Sequence, residues 1–342
     1  MKKHNILILL FLIINLTNGF AGNDKNVSKV GTTGAPFLEI EPGARAIGMG
    51  GAFVSIADDA TSIYWNPAGM TKLAKSEIAL NHNEWLAGIN YDFASIVIKM
   101  NAVSSIGVFY SGVNMADMEV RTIIDPEGTG ELFSVSDIAL GLSYARNLTD
   151  RFSIGFTGKY IQQTIYHMSA NAVAMDIGTL FRTHFNDMTI GMNISNFGNK
   201  MNMEGKDANI KVDIDPTKEG NNDRINASLD TDSWSLPLLL RVGASMNIFK
   251  NQFSRLTLAC DAMHPSDNLE SLNIGSEFAV KEMLFLRAGY TNLLLKDGEE
   301  SLTAGFGINY NLRGFVTFKL DYAFTNFGIL ENVHRFTIGL QF

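Results

Sequence analysis

Cysteine, proline, positive charge and long apolar runs are all scarce in this chain of 342 residues. The single cysteine, Cys260, has no partner within the chain, so an internal disulfide is excluded. Proline is limited to 7 residues, whereas glycine reaches 31 and phenylalanine 23. The formal charge of -8 gives no support for nucleic-acid binding, which needs a basic surface. Beyond residue 21 there is no apolar run of about 18 residues, so the sequence predicts no membrane-spanning helix in the mature chain.

Sequence motifs that carry catalytic or metal chemistry are also missing. The six histidines are scattered, and none has the spacing of metal ligands. Residues 48–51 (GMGG) lack the full dinucleotide-binding pattern, and residues 155–159 (GFTGK) lack the spacing of a phosphate loop. No Gly-x-Ser-x-Gly elbow occurs. We therefore predict a protein that is not an enzyme and has no catalytic residues, no metal site and no cofactor.

The amino-terminal residues have the pattern of a secretory signal peptide. Lys2 and Lys3 precede an apolar run over residues 6–16, and small residues follow near Ala21, where we expect cleavage. A retained helical anchor is the alternative, but the run is short for a membrane span. An exported chain without spanning helices is either a soluble periplasmic or extracellular protein, or an outer-membrane β-barrel.

Apolar and polar residues alternate through most of the remaining sequence, with the period of two that is typical of strands. In the last segment Phe336, Ile338 and Phe342 share one face, and Arg335 and Thr337 share the other. Fourteen such segments are predicted as strands: residues 75–85, 91–101, 103–112, 134–147, 151–165, 170–183, 187–197, 236–250, 253–264, 270–281, 283–293, 301–312, 314–325 and 332–342. Each has about the length that a tilted membrane strand needs.

Short and long gaps alternate between these strands. Every other gap is minimal, and the intervening gaps are longer, notably residues 113–133 and 198–235. Periplasmic turns and external loops of an outer-membrane barrel produce this alternation. The sequence therefore predicts an all-β fold, a 14-stranded antiparallel transmembrane β-barrel. The even strand count predicts that both termini are periplasmic.

The predicted polar face carries charges of both signs, which would line the lumen. They are Lys99, Asp137, Lys159, Asp176, Arg182, Arg241, Arg255, Asp261, Glu277, Arg287, Lys319, Asp321 and Arg335. Because an unpaired buried charge is costly, we expect these groups to pair with one another. We favour the interpretation that these charges form a network that supports the barrel wall and holds a plug, rather than a substrate site.

A glycine-rich segment that does not alternate precedes the strands. Residues 43–54 read GARAIGMGGAFV, and residues 57–69 read ADDATSIYWNPAG. Small residues allow the backbone to lie close to other surfaces, and residues 58–62 are predicted as a short helix with carboxylates in its first turn. The Asn66-Pro67 step predicts a turn.

These two motifs resemble the N-terminal segment of the PorV/PorQ family, within the wider group of FadL-like outer-membrane barrels. The resemblance implies that the segment is a hatch in the barrel lumen. The hatch residues that carry the resemblance are Arg45, Gly48, Gly50, Gly51, Asp58, Asp59, Asn66, Pro67 and Gly69. The expected organisation is a signal peptide at 1–21, the hatch at 22–74 and the barrel at 75–342.

The resemblance also implies two alternative functions. PorV/PorQ proteins are linked to the type IX secretion system, which implies a non-enzymatic outer-membrane component with the translocon or cargo proteins as partners. The FadL-like group implies instead a passive channel for hydrophobic small molecules. Outer-membrane lipid and the barrel assembly machinery are expected partners in either case, with the terminal Phe342 as the assembly signal.

Two long connections are the candidate interaction surfaces. An apolar pocket beneath the loop over residues 113–133 would suit the channel, and the candidate ligand-lining residues are Met115, Met118, Ile123, Ile124 and Phe133. The alternative is that these residues only pack the loop onto the barrel rim. The acidic segment over residues 198–235 is the first candidate for a partner-binding surface.

Overall fold

The computed structural model describes residues 29–215, 217, 224–295, 301–312, 314–328 and 332–342. The predicted signal peptide, residues 1–21, lies outside the described residues, as does part of the acidic segment over residues 198–235. No helix in the described part of the chain is long and apolar enough to cross a membrane.

Fourteen strands form one closed cylinder, as the sequence predicts. They are β1 Glu77–Glu84, β2 Asn90–Lys99, β3 Ser104–Asn114, β4 Val135–Thr149, β5 Phe152–Ile165, β6 Met168–Arg182, β7 Thr189–Gly198, β8 Leu239–Lys250, β9 Ser254–Pro265, β10 Ser271–Val280, β11 Leu284–Leu293, β12 Ser301–Leu312, β13 Val316–Asn326 and β14 Asn332–Gln341. Each strand pairs antiparallel with its neighbours, and β1 pairs with β14, from Glu77 opposite Gln341 to Asn83 opposite Arg335. Every strand end lies within three residues of its predicted position.

The two faces of the wall differ in polarity as the alternation predicts. On β14 the side chains of Phe336 and Ile338 are 54% and 56% exposed, whereas Arg335 and Thr337 are buried. The same outward apolar face continues around the cylinder through residues such as Leu142 and Leu302. An apolar belt of this extent is stable in contact with lipid rather than water. The chain is therefore an outer-membrane type of β-barrel.

One connection contradicts the predicted alternation of short and long gaps. The connection between β5 and β6 falls among the long ones but consists only of Tyr166 and His167. Tyr166 has a φ of 53°, and this left-handed conformation allows the tight reversal. The prediction of a longer loop is wrong here because the alternating pattern of both strands continues almost to the turn.

The segment before β1 fills the lumen as a hatch. It contains two short α-helices, Ala44–Gly48 and Ser62–Trp65, and two 3-10 helices, Pro36–Glu39 and Pro67–Lys72. Large side chains such as Trp65, Phe53 and Met49 are fully buried between the hatch and the wall.

The observed helix begins later in the chain than the helix predicted over residues 58–62. The helix begins at Ser62, after Thr61 as its N-cap. The Asp59 carboxylate instead accepts a hydrogen bond from the Thr61 backbone N–H at 2.9 Å, and Asp58 turns toward Arg45. Side-chain bonds of this local kind compete with helical geometry, which displaces the helix start.

Candidate functional site

Glycines on the inner wall allow the hatch backbone to lie directly against the strands. A Cβ built on Gly191 would overlap the Val54 carbonyl oxygen, and one built on Gly289 would overlap the amide nitrogen of Gly50. A Cβ on Gly155 or Gly275 would likewise overlap the hatch backbone, one on Gly178 would overlap the Asn66 side chain, and one on Gly305 would lie 3.0 Å from the Gly48 Cα. The abundance of glycine is thus partly explained by this close seat, which any larger side chain would disturb.

The Asn66-Pro67 step ties the hatch to itself and to the wall. Asn66 is fully buried, and its Nδ2 donates to the carbonyl oxygens of Val54 at 2.8 Å and Thr179 at 3.0 Å. Its Oδ1 accepts from the Ala68 amide at 3.1 Å, so the side chain also caps the 3-10 helix that Pro67 begins. Asn66 is extended, as expected before proline.

A buried carboxylate, Glu277 of β10, joins the hatch to two strands. Its oxygens accept from Arg45 Nε at 2.9 Å, Arg255 Nη2 at 3.0 Å and Arg287 Nε at 2.9 Å. Arg45 belongs to the hatch and also donates to Asp58 at 2.6 Å, while Arg287 donates to Asp321 at 2.6 Å. Glu277 is therefore the centre of a charged lattice that holds the hatch.

Two other wall carboxylates bind hatch amides. Asp261 Oδ2 accepts from the backbone N–H groups of Phe53 and Val54, each at 2.8 Å. Glu77 Oε1 accepts from the Ala60 amide at 3.2 Å, and Glu77 Oε2 accepts from Lys319 Nζ at 2.7 Å. Glu77 is absent from the predicted lumen set, although it shares the inward face of Ala79 and Asn81 on β1 and could have been found by that alternation.

Arg241 of β8 also binds the hatch, next to the strand that carries Asp261. Its Nη2 donates to Glu41 at 2.6 Å, and its guanidinium lies 4.7 Å from the centroid of the Trp65 ring. The Trp65 indole N–H donates to the Pro42 carbonyl at 3.0 Å. Neither Glu41 nor Trp65 is in the predicted set, because no local pattern relates them to β8.

Pairing within the predicted set of lumen charges is confirmed only for Glu277 with Arg255 and Arg287, Arg287 with Asp321, and Lys159 with Asp176. Lys319 and Arg241 pair with carboxylates outside that set, Glu77 and Glu41. Lys99, Asp137, Asp261 and Arg335 hydrogen-bond to neutral groups instead.

Lys159 and Asp176 are buried 2.8 Å apart at the bulge between β6 and β7, and the Asn196 amide donates to Asp176 at 2.8 Å. Arg182 keeps the inward alternation but is exposed at the strand end, where it donates to the Asp150 carbonyl. Arg182 therefore lies at the end of the lumen, and the expectation that it pairs with another lumen charge is wrong.

Several ionisable groups of the hatch have shifted pKa values, among them Glu39 and Lys72. Glu39 keeps part of its surface exposed, but partial desolvation raises its pKa to about 7, and repulsion by Asp267 and Glu41 adds to the effect. Burial lowers the pKa of Lys72 to about 8, against the attraction of Asp58. The Lys72 ammonium donates to the carbonyl oxygens of Ser55 and Ile56, both at 2.8 Å.

A polar cavity of about 180 Å³ lies between the hatch and the wall, at the end of the barrel with short turns. Arg45, Asp58, Arg287, Asp321 and Lys319 are among its lining residues. Their charges suit water and ions better than an apolar ligand. In the described residues no group of three or more histidine, cysteine, aspartate or glutamate side chains could hold a metal ion.

The candidate ligand-lining residues do not converge on a pocket. Ile123 and Ile124 are 102% and 88% exposed at the tip of the loop between β3 and β4. Met118 is exposed, and Met115 and Phe133 are half-buried nearer the barrel. The expectation that Ile123 and Ile124 line a ligand pocket is therefore wrong for this structure. Phe342 is half-exposed beyond β14, and its amide donates to the Ser76 carbonyl at 2.9 Å.

Comparisons with known proteins agree with this architecture. The family model described as type IX secretion system protein PorV matches residues 23–218. No curated protein matches the chain. Similar solved structures include a FadL homologue of Pseudomonas aeruginosa (13% identity, 86% of this chain and 96% of that chain, TM-score 0.51). Another is the toluene transporter TodX of Pseudomonas putida (13% identity, 87% of this chain and 96% of that chain, TM-score 0.53). A third is the toluene transporter TbuX of Ralstonia pickettii (10% identity, 87% of this chain and 97% of that chain, TM-score 0.52). At these identities the structures establish the fold alone.

Proposed function

The chain belongs to the PorV family of type IX secretion system proteins, and from this premise we propose that it works through its loops rather than through its lumen. It is an outer-membrane barrel associated with type IX secretion. In our proposal it is not an enzyme, its termini and short turns face the periplasm, and its long connections lie outside the cell. There they contact the translocon or cargo proteins.

The observation that carries this proposal is the seating of the hatch. Buried bonds hold the hatch at Glu277 of β10, Asp261 of β9 and Thr179 of β6, and at Thr337 of β14, whose hydroxyl accepts from the Ala44 amide at 2.8 Å. Opening the lumen would break charged and neutral hydrogen bonds on several sides at once. Breaking one buried ion pair alone costs about 3–5 kcal/mol. A lumen closed in this way supports a role on the outer surface.

The long connection between β7 and β8 contributes both to the barrel and to its outer surface. At its base Met201 pairs with Trp234, and the Ser235 carbonyl accepts from the hatch amide of Gly34 at 2.9 Å. Further out, Asn209–Val212 and Ile225–Ser228 form a separate two-stranded hairpin. The hairpin, rather than the whole predicted segment over residues 198–235, is therefore the part proposed to bind partners.

Copurification from outer membranes tests the proposal. The tagged full-length chain should retain a secretion-system component, and replacing residues 209–228 by a short glycine linker should weaken that retention while the barrel still assembles. Assembly is measured separately, as the shift in gel mobility between heated and unheated samples. Loss of assembly without loss of any partner would mean that the hairpin is structural, and a full-length chain that retains no secretion component would overturn the proposal.

A passive channel for hydrophobic compounds is the second candidate, supported by the shared 14-stranded fold. Uptake of toluene into liposomes that contain the purified barrel would test it. Uptake above that of empty liposomes would favour the channel, whereas equal uptake would favour the closed barrel.

Phe342 is proposed as the signal for the barrel assembly machinery. Its side chain is apolar, half-exposed and directly follows β14. F342A should slow the appearance, in outer membranes, of the folded barrel, which is recognised by its gel-mobility shift between heated and unheated samples. An unchanged rate would exclude this role.

A further inference from the structure

The loop between β3 and β4 ends in a well-defined hairpin tip, here residues 120–129. The Val120 amide donates to the Glu131 carbonyl at 2.8 Å, and the Thr129 amide donates to the Val120 carbonyl at 2.9 Å. At the turn, the Thr122 amide donates to the Asp125 carbonyl at 3.2 Å, and the Thr122 hydroxyl accepts from the Asp125 amide at 3.0 Å. The tip therefore holds its shape by its own hydrogen bonds.

The base of this hairpin is fixed to the neighbouring β5–β6 turn. The Tyr166 hydroxyl donates to Glu131 at 2.6 Å, and the rings of Phe133 and Tyr166 pack edge to face at 6.1 Å. Met118 and Glu119 pair with Phe133 and Leu132 to close the base. A tip supported in this way presents its side chains in a set direction, which lowers the entropy lost on binding.

The tip exposes two adjacent isoleucines to solvent. The side chains of Ile123 and Ile124 are almost entirely exposed, and neither packs against the barrel. The surrounding loop carries five carboxylates against one arginine, Arg121; the carboxylates are Asp117, Glu119, Asp125, Glu127 and Glu131. The isoleucines thus form an apolar point within an acidic surface.

We infer that this tip is a docking knob for a partner protein whose surface offers an apolar pocket rimmed by lysine and arginine. The inference rests on the proposed function, because it needs the long connections to face other secretion components. The isoleucines supply the apolar surface to be buried, and the carboxylates supply charge complementarity and orientation. An anionic lipid surface would repel the same carboxylates, so a protein is favoured as the occupant.

A photo-cross-linking residue placed at position 124 of the full-length chain in outer membranes tests the contact. The matched control carries it at Phe253, an exposed apolar residue in a short turn at the opposite end of the barrel. We expect position 124 to cross-link to the secretion component that copurifies with the unmodified chain, at a peptide that contains basic residues. The Phe253 control should not give this product. Cross-links at position 124 to lipid only, or no cross-link, would overturn the inference.

Affinity for the copurified component gives a second measurement. I123N/I124N should weaken the complex on the order of 100-fold, roughly tenfold for each isoleucine removed from an apolar pocket. I123V/I124V keeps the apolar character and should bind within a few-fold of the unmodified chain. D125K/E127K should weaken binding and flatten its dependence on salt. Unchanged affinity in I123N/I124N while the component still copurifies would refute the knob and leave the proposed function intact, whereas failure of all copurification would remove both.

Discussion

Replacing Glu277 by glutamine should loosen the hatch. The carboxylate is 1% exposed and accepts hydrogen bonds from three arginines, Arg45, Arg255 and Arg287. Glutamine has nearly the same shape but no charge. Its amide nitrogen would also face guanidinium donors, so part of the network would lose its acceptor.

The size of the effect follows from burial. Removing one partner of a buried ion pair leaves an uncompensated charge and costs about 3–5 kcal/mol. Arg45 and Arg287 keep second partners in Asp58 and Asp321, which limits the loss to about that range rather than a multiple of it. The hatch should loosen first, because Arg45 and its partner Asp58 are the members of the network that belong to the hatch.

Glu282 offers a matched control for this change. It bonds the same Arg255 through two contacts, at 2.8 and 2.9 Å, but its side chain is 56% exposed. An exposed pair contributes about 0–1 kcal/mol, so E282Q should be nearly neutral. The two variants share the chemical change and Arg255, and differ in burial and in the number of arginines bound, which is three for Glu277 and one for Glu282.

Urea titration of the purified barrel in detergent measures both variants, and limited proteolysis reports release of the hatch. E277Q should lower the free energy of unfolding by about 3–5 kcal/mol and expose cleavage sites in the hatch at urea concentrations that leave the strands paired. A loss below about 1 kcal/mol, or equal effects of E277Q and E282Q, would refute the reasoning that the buried lattice holds the hatch.

Three further predictions concern the hatch and its seat. G289A should destabilise the barrel by about 1–3 kcal/mol in the same urea titration, because the added Cβ overlaps Gly50. The control G158A, whose Cβ meets nothing within 4 Å, should be tolerated. Equal effects of the two variants would argue against the close contact between hatch and wall. N66A should cost about 1–3 kcal/mol and increase proteolysis of the hatch, since the carbonyls of Val54 and Thr179 lose their donor. The pKa of Glu39 is raised from 4.5 to about 7, so between these pH values the folded chain binds more protons than the unfolded chain. The contribution of Glu39 to the free energy of unfolding should therefore fall as pH rises from about 4.5 to 7. E39Q should remove this part of the pH dependence of the urea midpoint, and an unchanged profile would exclude it; partial exposure of Glu39 makes the effect small.

The strands could be predicted because each wall residue faces either lipid or lumen. The period of two therefore records the environment directly, and β14 shows it in Phe336, Ile338, Arg335 and Thr337. Where that rule stops, prediction failed. The two-residue turn at Tyr166 depends on one backbone angle, and the exposure of Ile123 depends on how far a loop extends from the rim.

The sequence alone determined the cylinder, its strand count and most of the charges that face inward, because these follow from local alternation of side chains; Glu77 was missed. The hatch was predicted through the resemblance of residues 43–54 and 57–69 to the PorV/PorQ family, because alternation gives no sign of it. Only the tertiary structure decided which charges meet. Glu277 bonds Arg45 across 232 positions, and Glu41 bonds Arg241 across 200. Such pairs arise when closure of the barrel brings distant strands around the hatch, and no local pattern in the chain encodes them.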